Sequence, residues 1–361
     1  MAHSASDSGV PDAMPVRDGH QLDESSLHSW MARNVAGYQG PIAVRQFRGG
    51  QSNPTYLLTT SARSYVLRRQ PPGPLLKGAH AVDREAMVQM ALADTRVPTA
   101  RVYATCLDPE IIGTKFYIME MVEGRIFWDA TFPEISSVDR PLYFDAMSSV
   151  IADLHALAPA SIGLDGFGRP TGYVERQIKR MSEQYLADTV AGRDPNMDRL
   201  ISWLQQASLR GEDRRAVVHG DFRCDNLIFH PTEPRVVAVI DWELATLGHP
   251  LADFAYHAMM YRMPGHIVAG LAGVDLSKLN IPSEAEYLAR YARLTGLTDT
   301  TDYDYYVAFS FFRLAAIIHG IKGRLARGTA ASADAAERVK ALPELAELAW
   351  EQARRAGAPA S

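Results

Sequence analysis

Apolar and polar positions alternate in the first part of the chain and then recur at helical spacing. Two alternating segments, VRQF and TYLLT, flank a GGQSN bend, and SYVLRR follows them; a period of two is typical of half-buried strands. One-sided apolar positions predict helices over residues 22–38 and 81–93. From residue 141 onward, Met147, Ile151 and Leu154 continue this helical spacing, which indicates a larger, mainly helical region.

Length, charge and composition narrow the class of protein. Residues 1–21 lack periodicity and are rich in Ser, Asp, Gly and Pro, so we expect a disordered tail. The 361 residues, 47% of them hydrophobic, suit one large bilobal domain or two domains. A net charge of -5 gives no reason to invoke nucleic acid or an anionic membrane. No apolar run approaches the roughly 20 residues of a membrane span, and two cysteines make no disulfide framework. We therefore expect a cytoplasmic protein.

The densest set of reactive side chains lies in residues 219–253, HGDFRCDNLIFHPTEPRVVAVIDWELATLGHPLAD. LIF and VVAVI flank a Pro-containing turn, and such β-branched and aromatic runs indicate an antiparallel hairpin. If these strands pair, Asn226 and Asp241 come side by side, facing the loop that holds Asp221.

This spacing suits phosphoryl transfer. Mg²⁺ takes one or two protein oxygens, while nucleotide phosphates and water supply the rest; Asn226 and Asp241 fit that role. The attacking hydroxyl needs a carboxylate that orients it and accepts its proton, and Asp221 fits. Each side chain alone would more often be a solvated loop residue, so the signal is their joint spacing.

HGDxxxxN followed by IDWE resembles the aminoglycoside phosphotransferase and choline kinase superfamily. The resemblance implies an α+β, bilobal, protein-kinase-like fold that uses ATP and Mg²⁺. It implies a small β-rich N-lobe over residues 22–121 and a larger, mainly helical C-lobe over residues 122–361. His219 is then expected to hold the catalytic loop, and Asp253 to accept hydrogen bonds from the amides of that loop. Arg223 would reach a substrate anion or the transferred phosphoryl group, or project into water.

The predicted N-lobe supplies the nucleotide-binding candidates. A Gly-rich bend lets backbone amides approach phosphate oxygens, and the candidates there are Gly49, Gly50, Ser52 and Asn53. The resemblance places Arg68 where kinases keep a phosphate-binding lysine, with Arg69 as the alternative. Glu85, in the next predicted helix, is expected to pair with Arg68 or to complement the helix N-terminus. FYIMEMVEG would form the hinge, where the backbone of Glu120 and Val122 binds adenine beside Met119.

A closer resemblance concerns the acceptor. Segments such as YVLRRQPPG, IGTKFYIMEMVEGRIFWD and HGIKGRLARGTA are similar to the kinase-like domain that animals fuse to an acyl-CoA dehydrogenase. That resemblance implies a hydroxyacyl-CoA as the favoured small-molecule acceptor, with the dehydrogenase as a possible separate partner. The stretch 305–333 has no acid and contains Arg313, Lys322, Arg324 and Arg327, which suits an anionic acceptor or a solvated helix end. An aminoglycoside or other antibiotic kinase, or a non-catalytic nucleotide-binding regulator, remains the alternative.

Overall fold

The computed structural model describes residues 13–48, 53–73, 80–169, 171–207, 209, 211, 214–329 and 335–359. These residues form two compact units. The first takes in the described residues up to Asp94 together with Thr99–Glu123, and the second takes in Thr95–Pro98 and the described residues from Gly124 onward.

The first unit is built on an antiparallel sheet, in which six strands are described. In chain order they are β1 (Ala13–Met14), β2 (Ala43–Phe47), β3 (Thr55–Thr59), β4 (Ser64–Arg69), β5 (Val102–Cys106) and β6 (Phe116–Glu120). Their spatial order is β1-β2-β3-β4-β6-β5. Helix α1 (Glu24–Asn34) is capped by Asp23, whose side chain accepts a hydrogen bond from the Ser26 amide. Helix α2 (Val82–Leu92) packs Val82 and Ala86 against Tyr117 of β6.

Part of the expected N-terminal tail is ordered instead. Ala13–Met14 pairs with β2, and the carbonyl of His20 accepts hydrogen bonds from the Tyr56 hydroxyl (2.8 Å) and from Arg69 (3.1 Å). The prediction of a tail was therefore wrong for residues 13–20. Composition does not reveal this anchoring, because a backbone carbonyl makes the contact. Residues 1–12 lie outside the described part of the chain.

The second unit is mainly helical. Its described helices are α3 (Arg140–Ala156), α4 (Tyr173–Ala187), α5 (Pro195–Gln206), α6 (Pro250–Ala258), α7 (Leu276–Leu279), α8 (Glu284–Thr295), α9 (Tyr303–Ala326), α10 (Ala335–Lys340) and α11 (Leu342–Arg355). Helix α9 is buried along most of its first fifteen residues and packs against α6 and α11. A helix that is apolar on all sides is typical of a core position, so α9 is the central helix of this unit.

Two small antiparallel strand pairs lie within the second unit. Strand β7 (Ala216–Val218) pairs with β10 (Thr246–Gly248), and β8 (Leu227–Phe229) pairs with β9 (Val236–Val239). The second pair is the hairpin that the sequence predicts from LIF and VVAVI, and it is confirmed. Across the described residues, no helix combines the length and apolar character that a membrane span requires.

Candidate active site

The loop after β7 carries Asp221 and depends on a glycine. Gly220 has a φ of +84°, and a Cβ at this position would lie 2.8 Å from the carbonyl oxygen of Leu244. Because a left-handed backbone and this close approach both disfavour a side chain, glycine lets the chain turn sharply between His219 and Asp221.

Asp253 of α6 fixes the backbone of this loop. Its carboxylate accepts hydrogen bonds from the backbone amides of His219 and Gly220, both at 2.8 Å, and lies 3.1 Å from Nε2 of His155. The other ring nitrogen of His155 lies 2.7 Å from the hydroxyl of Tyr291. Burial by itself raises the pKa of Asp253, but the contact with His155 and the hydrogen bond from the His219 amide outweigh it, so the pKa is lowered. The expected contact between Asp253 and the loop amides is confirmed.

His219 is buried and contacts the backbone on both sides of its ring. Nδ1 accepts a hydrogen bond from the amide of Asp221 (3.2 Å), and Nε2 lies 3.0 Å from the carbonyl oxygen of Ile240. An accepting Nδ1 places the proton on Nε2, which then donates to Ile240. His219 therefore joins the Asp221 loop to the end of β9.

The hairpin brings Asn226 close to Asp241. Leu227 pairs with Val239, and the amide of Ile240 donates to the carbonyl of Asn226 at 3.0 Å, so Asp241 follows directly after this contact. Asp241 adopts a left-handed conformation with a φ of +65°, which is uncommon for a residue other than glycine. The side-by-side placement that the strand pairing predicts is present.

The orientation of the Asn226 side chain is fixed by Asp221. Its Nδ2 donates to the backbone carbonyl of Asp221 at 2.8 Å and to the Oδ2 atom of Asp221 at 3.2 Å. Since both partners are acceptors, the amide nitrogen must face them, and Oδ1 is the atom left to coordinate a cation. Among the described residues, no group of three or more His, Cys, Asp or Glu side chains is placed to hold a metal. Asn226 and Asp241 fit an ion that takes most of its ligands from phosphates and water.

Arg223 interacts with two neighbouring carboxylates. Its guanidinium forms an ion pair with Asp225, and its Nε lies 3.5 Å from Oδ1 of Asp221. Burial acts to lower the pKa of Arg223, but the charges of Asp221 and Asp225 raise it overall. Of the two sequence interpretations, projection into water is wrong, because the side chain is only 28% exposed and is held by these carboxylates.

A second arginine approaches the loop from α9. Arg313 is buried, donates to the carbonyl oxygen of Gly220 at 3.0 Å and lies 4.7 Å from the centre of the Tyr256 ring. Arg327, from the same acid-free stretch, is paired with Asp188 through two contacts of 2.8 Å. Both arginines are therefore held by groups of the protein itself, which does not favour a role for them in binding an anionic acceptor.

In the first unit, Arg68 and Glu85 form a buried ion pair. The Nε atom of Arg68 lies 2.7 Å from Oε2 of Glu85, whereas Arg69 contacts His20 and lies over the ring of Tyr56. Of the two sequence candidates, Arg68 is thus the one that pairs with Glu85, as the strand-to-helix ion pair of kinases requires.

Asn53 belongs to the same network. Its Nδ2 donates to Oε1 of Glu85 at 2.5 Å, and its Oδ1 lies 3.1 Å from Nδ1 of His80. The hydroxyl of Tyr117 also donates to Glu85, at 3.2 Å. The side chain of Asn53 is therefore committed to orienting Glu85, and the prediction that it binds phosphate would have to be met by its backbone.

Some of the remaining nucleotide-binding candidates belong to the described residues and some do not. Gly49, Gly50 and Ser52 lie outside the described residues. Glu120 ends β6, and its amide donates to the carbonyl of Arg101 at 2.8 Å, so its carbonyl is the group that could meet adenine. Met119 is half-buried against α2, and Val122 lies beyond β6 in a segment without regular secondary structure.

Comparison with known proteins identifies the family. Residues 43–306 match the model of the phosphotransferase enzyme family. The chain belongs to this family. A crystal structure of a candidate aminoglycoside phosphotransferase from Ralstonia eutropha, 45% identical to this phosphotransferase, has a TM-score of 0.84 and covers 93% of this chain and 99% of that chain.

A solved structure of much lower sequence identity is evidence for the fold of the phosphotransferase only. The aminoglycoside phosphotransferase APH(4)-Ia, solved as a thermostable mutant in a ternary complex with ADP and hygromycin B, is 16% identical and has a TM-score of 0.62. It covers 93% of this chain and 99% of that chain. The expected α+β, kinase-like fold is confirmed.

A curated relative of the phosphotransferase is acyl-CoA dehydrogenase family member 11 of Gallus gallus. It is 41% identical over 354 residues, which are 96% of this chain and 45% of the relative. The chain spans less than half the length of the curated relatives that it matches. The resemblance to the kinase-like domain of such proteins is confirmed.

Proposed function

We propose that this protein is an ATP- and Mg²⁺-dependent kinase of a small-molecule hydroxyl, acting in the cytoplasm. The observation that carries the proposal is the Asp221 loop: its carboxylate is held by Asn226, and its backbone is fixed by Asp253, His219 and Arg313. Phosphoryl transfer depends mainly on positioning and charge neutralisation, and these contacts hold Asp221 in a fixed position.

Asp221 orients the acceptor hydroxyl and accepts its proton. The hydroxyl oxygen forms the new bond to the γ-phosphorus, the bond between that phosphorus and the β–γ bridging oxygen breaks, and ADP leaves with the electron pair. Oδ2 of Asp221 accepts a hydrogen bond from Asn226, and Oδ1 lies 3.5 Å from the Nε atom of Arg223. The acceptor hydroxyl would bind Oδ1, the oxygen that Asn226 does not contact.

Asn226, through Oδ1, and Asp241 would hold Mg²⁺. The ion, when bound, offsets the charge on the phosphate oxygens. Arg223, held by Asp225, would place its positive charge beside the same reacting groups. Since its guanidinium lies 3.5 Å from the Asp221 carboxylate, it would be close enough to stabilise charge on the transferred phosphoryl group.

Residues of the first unit would bind the nucleotide. Arg68, oriented by Glu85, would contact the phosphates, and backbone amides of residues 49–53 would cradle them. The backbone of residues 120–122 would contact adenine beside Met119. The complex of APH(4)-Ia with ADP supports a nucleotide cosubstrate for this fold.

The favoured acceptor is a hydroxyacyl-CoA, and the product would be a phosphorylated acyl-CoA. The support for this is the similarity, over 96% of this chain, to a protein named as an acyl-CoA dehydrogenase family member. A separate acyl-CoA dehydrogenase is then a possible partner. Hygromycin B in the APH(4)-Ia structure favours an aminoglycoside as the second candidate.

The test is mass spectrometry of possible acceptors after incubation with protein, ATP and Mg²⁺. The panel contains hydroxyacyl-CoAs, choline and aminoglycosides, with Asp221→Ala as the blank and Asp165→Ala, at a surface ion pair, as the matched control. We expect one phosphoryl group to be added to a hydroxyacyl-CoA by the parent and the control but not by the blank. Transfer only to an aminoglycoside would overturn the proposal that the acceptor is a hydroxyacyl-CoA. ATP binding without any phosphorylated product would indicate a non-catalytic nucleotide-binding regulator.

A further inference from the structure

A small pocket lined by three methionines lies beside the catalytic loop, wholly within the second unit. We call it the methionine pocket. Its apolar wall consists of Met259, Met260, Met263, Val268 and Ala269. Its polar end consists of Arg223 and Asp225, and Tyr256 lines it as well.

Two of the lining residues are neighbours of the proposed base. The ring of Tyr256 packs against Arg313, which donates to the carbonyl of Gly220 in the Asp221 loop, and burial and the Asp221 carboxylate raise the pKa of the Tyr256 hydroxyl. Arg223 lies 3.5 Å from the same carboxylate. A molecule in the methionine pocket would therefore lie beside residues that contact Asp221 or its loop.

The charges of the described lining residues cancel. Arg223 and Asp225 form an ion pair with each other. Burial lowers the pKa of His257 to about 4, so this side chain is neutral at pH 7. A polycationic acceptor would meet a single carboxylate that is already paired, whereas an uncharged chain meets an apolar wall. The methionine pocket therefore favours an apolar ligand.

The wall is fixed in its backbone and adaptable in its side chains. The amides of Leu271 and Ala272 donate to the carbonyls of Met260 and Met263, at 2.8 and 3.0 Å, and any side chain on Gly270 would collide with the carbonyl of Met263. The enclosed volume is about 20 Å³, so a chain can enter only if side chains move. Methionine suits this, because its unbranched thioether changes rotamer easily.

We propose that the methionine pocket holds the apolar chain of the acceptor, and that Met260 and Ala269 limit the chain length that is accepted. The proposal rests on the kinase function proposed above and specifies which part of the acceptor the protein recognises. The hydroxyl lies at Asp221, and the chain runs past Tyr256 into the pocket.

The test uses one substitution that fills the pocket and a matched control. Ala269→Phe adds a ring to the wall, and Ala272→Phe makes the same change in the same loop at a residue that does not line the pocket. The substrates are hydroxyacyl-CoAs with one hydroxyl position and increasing chain length. Because a buried methylene is worth about fourfold in binding, displacing two of them lowers kcat/KM for the longest acceptor by roughly 15-fold. In the control Ala272→Phe, kcat/KM for acceptors of every chain length should match the parent.

A second variant, Met260→Ala, enlarges the pocket and should favour the longest acceptor over the shortest. The proposal is overturned if both pocket variants keep the chain-length profile of the parent, while the kinase function stands. If the parent phosphorylates aminoglycosides and no acyl-CoA, the proposed acceptor fails, and the chain-binding role fails with it. Melting temperatures of all three variants show whether a loss reflects unfolding.

Discussion

Replacing Asp253 by asparagine should weaken the fold and the catalytic loop together. The Asp253 carboxylate accepts hydrogen bonds from two backbone amides and faces the ring of His155. An asparagine amide has one accepting oxygen, so its NH₂ group must face at least one of these donors. The side chain keeps its size, and the change is confined to charge and hydrogen bonding.

The expected loss can be worked out from these contacts. Hydrogen bonds to a charged group contribute about 1.5–3 kcal/mol each, and breaking a buried charge interaction costs roughly 3–5 kcal/mol. We therefore expect Asp253→Asn to lower the free energy of unfolding by about 3–5 kcal/mol. Because an error of about 1 Å in positioning can cost roughly 100-fold in rate, kcat should fall by at least that factor.

Urea unfolding followed by tryptophan fluorescence measures the change in stability. Asp165→Asn is the matched control, since Asp165 is 70% exposed and pairs with Arg215 at 3.2 Å; it should change stability by less than about 1 kcal/mol. A loss below about 1 kcal/mol in Asp253→Asn would refute the claim that this carboxylate anchors the loop.

The same carboxylate predicts a pH dependence. Burial alone raises the pKa of Asp253, but the contacts with His155 and His219 lower it overall. A group whose pKa is depressed by folding stabilises the protein above its unfolded pKa of about 3.9, and this contribution is lost as pH falls through the folded value. Stability of the parent should therefore fall below about pH 4, and the fall should be shallower in Asp253→Asn. Identical acid profiles would contradict the linkage.

Three further changes test other parts of the site. Asp241→Ala should reduce turnover below about 1% of the parent, because the proposed metal ligand is lost, while a cooperative unfolding transition is retained; normal turnover would exclude Asp241 as a ligand. Glu85→Gln leaves the buried Arg68 without its carboxylate partner, so the KM for ATP should rise about tenfold or more. The control Asp83→Asn, on the exposed side of α2, should leave the KM for ATP unchanged. Gly220→Ala forces a side chain onto a φ of +84° and should destabilise the protein by roughly 2 kcal/mol; calorimetry showing no loss would mean that the loop relaxes freely.

Local sequence patterns predicted the parts of the site that are close in sequence. The hairpin carrying Asn226 and Asp241 follows from two apolar runs and a turn, and the pairing of Arg68 with Glu85 follows from the resemblance to kinases. Asp225 could have been found, since it lies two residues from Arg223 and has the opposite charge.

Other contacts could not be predicted, because they depend on tertiary packing. Arg313 meets the carbonyl of Gly220 across 93 positions of sequence, and nothing in the pattern of α9 shows which of its side chains faces the loop. Tyr256 is one of many buried residues in α6, and only the fold brings its ring against Arg313. The anchoring of His20 uses a backbone carbonyl, which no residue type reveals.

The side chain of Asn226 would link the proposed metal site to the proposed base through one planar group. Its nitrogen donates to Asp221, and its oxygen is the atom available for a cation. A cation on the oxygen would withdraw electrons from the amide and make its N–H groups stronger donors, which would tighten the grip on Asp221. Loading of the metal would thus be communicated to the base through three bonded atoms, without any movement of the backbone.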